Sequence, residues 1–203
     1  MNSFVKRLVQ EASQSPLALF TREICANPRS MGAACPSSPG LARNMAAQVP
    51  LAPDGLVVEV GAGTGVITQA LISRGVNLDR LIVVERAAAL AGHLRRRFPG
   101  VRVIQGDAME LIDLLGSDGA EVRTVVSGLP LRSLDPPVTR AIGDQLDALL
   151  GNQGLLVQFT YNLLGSYDHL PPRFQRVASK IIWGNLPPAR IDVFRRQLDL
   201  ITP

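Results

Sequence analysis

Glu59, Gly61, Gly63 and Gly65 lie together in the stretch VVEVGAGTG, and two further carboxylates, Glu85 and Asp107, follow at later points in the chain. Glycines at alternate positions let backbone amides approach a ligand closely, and a carboxylate beside them neutralises a cation or accepts hydrogen bonds. The spacing is G-x-G-x-G. A dinucleotide fingerprint would need glycine at position 66, where Val66 stands, and no Gly-Lys-Ser/Thr follows as in a phosphate loop. Glu59 is a poor neighbour for a pyrophosphate, so the turn suits a cationic ligand that carries no phosphate.

The elements that must position these residues follow from the hydrophobic pattern. Leu56-Val57-Val58 begins a buried strand that ends in the glycines, and Val66, Ile67, Ala70 and Leu71 share one face of the helix after them. Leu81-Val84 is a second strand that ends in Glu85, 20 residues past Gly65, where Rossmann-like sites hold ribose hydroxyls. Residues 87–97 form a helix, and Val101-Gln105 is a third strand, followed by Gly106-Asp107-Ala108. Thr124-Val126 is the fourth strand, with Ser127-Gly128-Leu129-Pro130-Leu131 after it. A helix over 139–150 leads to a fifth strand, Leu155-Phe159, and 180–183 and 191–194 form a closing pair. Five strands alternating with helices predict an α/β, Rossmann-like doubly wound sheet. Ligands of such sheets bind at the carboxyl ends of the central strands.

Glu59-x-Gly61-x-Gly63-x-Gly65 resembles the first motif of the class I S-adenosylmethionine-dependent methyltransferases. That resemblance implies S-adenosyl-L-methionine as cofactor. It would be held by Glu59, Gly61, Ala62, Gly63, Gly65, Glu85, Arg86, Asp107, Ala108, Ser127 and Gly128. Asp107 would accept from the adenine amino group, and the Ala108 amide would meet a ring nitrogen. The chain as a whole resembles the bacterial phospholipid N-methyltransferases through Pro36-Ser37-Ser38-Pro39, Glu59–Gly65, Ser127–Leu131, Gln158-Phe159-Thr160-Tyr161 and Asn185–Arg190. This implies stepwise methylation of phosphatidylethanolamine towards phosphatidylcholine. Arg86-Ala87-Ala88 departs from the pattern, where an asparagine-proline pair is expected, and bears on how the adenosine is gripped.

Methylation of an amine needs a neutral nitrogen and a leaving thioether that requires no acid, so the protein contributes mainly proximity and orientation. Aromatic residues are scarce, at 4% of the chain, which leaves few candidates to hold a methylated ammonium. Tyr161 is expected to position the head group, with Tyr167 and His169 on the following loop as further catalytic candidates. Leu129 and Arg190 complete the substrate set, Arg190 against the lipid phosphate. Each of these could instead be an ordinary structural residue.

The 203 residues, 46% hydrophobic, predict one core with an N-terminal extension: residues 1–50 helical, 51–203 the methyltransferase domain. Met1, Val5, Leu8 and Ala12 share a helical face, with Lys6 and Arg7 off it, as in a helix packed on the domain or one lying on anionic lipid. Charged residues come too early for a signal peptide and no run reaches about 18 apolar residues, so a cytoplasmic enzyme peripheral on the inner membrane face is expected. Cys25 and Cys35 have no metal-ligand spacing around them, so no metal is expected. The net charge of +4, with Lys6 and Lys180 the only lysines among 21 basic residues, favours an anionic partner. Nucleic acid is not expected. The rRNA adenine dimethylases share the cofactor motifs but carry Asn-Leu-Pro-Tyr/Phe at the acceptor loop, where Gly128 and Leu131 stand here. A base-reading enzyme needs that hydrogen-bond acceptor and stacking platform. A non-catalytic membrane-associated protein and methylation of a small apolar acceptor such as a quinone precursor are the other readings.

Overall fold

β-Branched runs punctuated by glycine produce the sheet. A computed structural model describes residues 38–51, 55–165 and 170–197. The strands are β1 (Leu56–Val60), β2 (Leu81–Glu85), β3 (Arg102–Gln105), β4 (Val122–Ser127), β5 (Leu155–Thr160), β6 (Phe174–Ile182) and β7 (Ala189–Arg196). They form a seven-stranded sheet in the order β3-β2-β1-β4-β5-β7-β6. The first five are parallel, and β7 runs antiparallel between β5 and β6. The expected closing pair exists, but β6 begins at Phe174 instead of 180 and alternates little, since its central residues face solvent.

The helices are α1 (Pro39–Ala46), α2 (Val66–Arg74), α3 (Ala88–Arg97), α4 (Leu111–Leu115) and α5 (Pro136–Leu149). Ser38 caps α1, its hydroxyl accepting from the Leu41 amide at 3.1 Å, with Pro39 at the first position. Alternate strand residues divide the core between the two faces. Val57, Leu81, Val83 and Val157 pack with Leu41 and Met45 of α1, Leu71 of α2 and Leu94 of α3. Val58, Val60, Ile82 and Val125 pack with Leu111 of α4 and with Ile142 and Leu146 of α5. Helix α1, grouped by sequence with residues 1–50, thus buries Leu41, Ala42 and Met45 on the sheet.

The chain leaves β1 towards β2 and β3, then returns to β4 on the other side of β1. This topological switch opens a crevice at the carboxyl ends of β1 and β4. Register lines up the site residues there: Val60 pairs with Ser127, and Ser127 with Gln158.

Candidate active site

The glycine turn is fixed from below and open above. The Gly61 amide donates to the Val84 carbonyl at 2.9 Å. Gly61 has φ of +72°, which favours glycine, and a Cβ there would lie 2.4 Å from Leu129 Cδ2, so the turn and the loop after β4 pack closely at this point. Gly63 also has positive φ, +57°, yet a Cβ there would meet nothing within 4 Å. Gly63 faces open space, where a ligand can reach the backbone. Gly65 backs onto Leu94 and Phe98.

Glu85 joins this turn to β2. Its Oε2 accepts from the Gly63 amide at 2.8 Å and its Oε1 from the Ala87 amide at 2.9 Å. Each oxygen keeps a second lone-pair site, so the carboxylate can still receive hydroxyls from a ligand. Asp107 accepts from the Met109 amide through Oδ1 at 3.0 Å, and its Oδ2 lies 3.6 Å from Arg86 Nη1. Arg86, at the departure from the family pattern, is 79% exposed and pairs across the top of β2 and β3, beside buried Ala108.

Glu59 has no solvent exposure, and neither carboxyl oxygen completes a hydrogen bond. Burial pushes its pKa up to about 8; Thr68 on α2 offsets this in part, and the Glu85 charge adds slightly. An acid buried at a ligand crevice with only Thr68 beside its carboxyl group is costly to ionise and points to a cationic group that would compensate it.

The loop after β4 is held at three points. Gly128 donates to the Val60 carbonyl at 2.8 Å, and a Cβ on it would lie 2.5 Å from the Gly61 carbonyl oxygen. Ser127 Oγ accepts from the Leu129 amide at 3.3 Å. Gln158 Nε2 donates to the Leu129 and Phe159 carbonyls, both at 2.8 Å. Gln158 is 1% exposed and carries no expected role from sequence; the signal was a lone amide inside the apolar strand LLVQF. Leu131 is buried in the core and offers no platform for a base.

Tyr161 is half-buried just past β5, edge-on to Phe159 with ring centroids 5.5 Å apart. Tyr167 and His169 lie outside the described residues. Arg190, the expected partner of a lipid phosphate, stands at the start of β7. Arg190 is 5% exposed, with Nε on Asp192 at 2.7 Å, Nη1 on the Leu163 carbonyl at 2.6 Å and Nη2 on the Gly165 carbonyl at 2.7 Å. It clamps the loop after β5 onto β7 through these three hydrogen bonds. Among the described residues no group of three His, Cys, Asp or Glu side chains is placed to hold a metal ion.

No protein-family model matches the chain. It is 33% identical over 176 residues to the ornithine lipid N-methyltransferase of Singulisphaera acidiphila, covering 84% of this chain and 91% of that protein. The chain belongs to the class I S-adenosylmethionine-dependent methyltransferases. A further relative of this methyltransferase is the ribosomal RNA small subunit methyltransferase A of Methylococcus capsulatus, 35% identical over 114 residues, which cover 55% of this chain and 42% of that one. Among solved structures, the N-methyltransferase NodS of Bradyrhizobium japonicum, in complex with S-adenosyl-L-homocysteine, superposes with a TM-score of 0.57 at 15% identity, covering 90% and 89% of the two chains. TrmN from Thermus thermophilus does so with a TM-score of 0.65 at 18% identity over 78% of this chain and 48% of that one. These likenesses carry the Rossmann-like fold.

The methyltransferase uses S-adenosyl-L-methionine, and the crevice fits it. The open side of Gly63, the spare acceptor sites of Glu85, and buried Glu59 suit a ligand with hydroxyls and positive charge but no phosphate.

Proposed function

We propose that this methyltransferase methylates the primary amine of phosphatidylethanolamine, and its mono- and dimethyl derivatives, towards phosphatidylcholine at a membrane surface. The observation that carries the reading is the acceptor loop. Gly128 and buried Leu131 leave it without a side chain to bind or stack a nucleobase, and its backbone is braced by Gln158. The lipid amine is small and flexible, and needs a close, shaped approach more than base readout. A relative named for a lipid substrate that matches over nearly its whole length supports a lipid acceptor. The rRNA methyltransferase likeness spans less than half of that relative.

In this reading Glu59, Gly61, Ala62, Gly63, Gly65, Glu85, Arg86, Asp107, Ala108, Ser127 and Gly128 hold the cofactor, which supplies an electrophilic methyl group. Leu129 and Tyr161 border the amine, and Tyr167 and His169 are its further candidates. The loop keeps water out and orients the nitrogen; the proton leaves to solvent. Residues 1–12, which lie outside the described residues, carry a basic amphipathic sequence pattern that would seat the enzyme on the inner leaflet. Among the described residues no helix is long and apolar enough to cross a membrane.

Ornithine lipid is a second substrate reading, favoured by the name of the relative from Singulisphaera acidiphila. Both lipids present a primary amine. Vesicles containing one or the other, supplied with labelled S-adenosylmethionine, separate them. Label in mono-, di- and trimethylated phosphatidylethanolamine supports the first reading, and label in ornithine lipid alone replaces it with the second.

A further inference from the structure

We propose that the loops following β5 and β6 form an edge that inserts into an anionic phospholipid bilayer, with Leu164, Trp183 and Leu186 as the side chains that enter it. The inference rests on the lipid-amine reading above.

Single exposed apolar side chains are ordinary on a protein surface, but gathered ones are not. Leu164 is 96% exposed, Leu186 92% and Trp183 71%; the other exposed large apolar side chains among the described residues reach 48% at most. The three most exposed all belong to two loops at one end of the sheet. Thr160 of β5 pairs with Arg190 of β7, and Ile181 of β6 pairs with the same Arg190, so these loops leave the two strands that flank β7 at one level. That level is the carboxyl end of β5, next to Tyr161 and the braced acceptor loop.

The tips are held, not frayed. Arg190 binds the carbonyls on either side of Leu164, those of Leu163 and Gly165. Asn185 Nδ2 donates to the Pro187 carbonyl at 2.6 Å and so shapes the turn that carries Leu186. A buried guanidinium is thus used to present a leucine to water. Residues 160–165 and 181–189 contain no charge. Flanking them are exposed Lys180, whose Nζ also donates to Asn44, and exposed Arg132, whose guanidinium lies beside Gly165.

A bilayer suits this arrangement better than a second protein. Three separate points on two loop tips offer far less than the roughly 800 Å² per partner of a stable protein interface. Shallow insertion needs only apolar tips, with Trp at head-group depth and basic residues at the anionic surface. An edge seated in this way would bring the acceptor loop to the level of the lipid head groups.

Trp183 is the chain's one tryptophan, so its fluorescence reports on this edge without labelling. The full-length protein is titrated with vesicles of phosphatidylethanolamine and phosphatidylglycerol. A blue shift of emission and quenching by doxyl-labelled lipid are expected. The double variant Leu164→Ser/Leu186→Ser should partition about ten-fold more weakly, while its methyl transfer to a monomeric short-chain amino-lipid stays within about two-fold. Binding with unchanged Trp183 emission, no binding, or wild-type partition of the double variant would each overturn the proposal. Trp183 insertion without methylation of any amino-lipid would keep the edge and remove the substrate reading; methylation of the monomeric lipid without insertion would do the reverse.

Discussion

Gln158 Nε2 lies 2.8 Å from the carbonyl oxygen of Leu129, so an amide in the middle of β5 braces the loop after β4, which we propose borders the methyl acceptor. The same nitrogen reaches the Phe159 carbonyl, and β5 therefore fixes both the loop and its own exit towards Tyr161.

Replacing Gln158 by Leu should free the Leu129 carbonyl with little change in side-chain volume. Two hydrogen bonds are lost, so the midpoint of denaturant unfolding should fall by the equivalent of about 1–3 kcal/mol. Turnover should drop about 10- to 100-fold while cofactor affinity stays within about three-fold. Unchanged turnover in a folded variant would show that the brace is not needed.

Glu85→Ala removes the acceptor for both the Gly63 and Ala87 amides. Charge-assisted hydrogen bonds of this kind contribute about 1.5–3 kcal/mol each. Calorimetry should find S-adenosylmethionine bound at least about ten-fold more weakly. Glu85→Gln, which keeps one acceptor oxygen, should lie between wild type and Ala.

Glu59 gives the site a pH signature. Its carboxyl titrates at about 8 in the folded chain against 4.5 ordinarily. Between those values the native state holds the extra proton, so this group's contribution to stability declines as pH rises from about 4.5 towards 8, and no loss from it is present below 4.5. A cationic ligand favours the ionised form. Cofactor binding at pH 7 should therefore release a proton from Glu59, and affinity should rise with pH up to about 8. Calorimetry in two buffers of different ionisation enthalpy measures the release, and Glu59→Gln should remove that share of it.

Tyr161→Phe keeps the edge-on contact with Phe159 and deletes only the hydroxyl. Methyl transfer should slow while cofactor affinity holds. Equal loss of both would make Tyr161 a structural residue.

The sheet was legible because β1 and β2 carry apolar runs buried on both faces, and the glycine turn could be read because three alternating glycines after a strand have few other uses. Long-range side-chain partners were not legible. Arg190 reads as a phosphate ligand from its place in the motif, and its bonds to two loop carbonyls and Asp192, partners set by how β7 lies against β5, were not legible. Gln158 was visible as a polar residue in an apolar strand, but its target depends on the β4–β5 register. The start of β6 was missed because residues 175–180 face solvent and lack the apolar alternation that marks a half-buried strand.

The central claim, a lipid amine as acceptor, is tested most directly by supplying labelled S-adenosylmethionine with either phosphatidylethanolamine vesicles containing anionic lipid or unmethylated small-subunit rRNA. The account predicts label in the organic phase, in methylated phosphatidylethanolamine, and none on the RNA. Label on the rRNA and none in the lipid would contradict it.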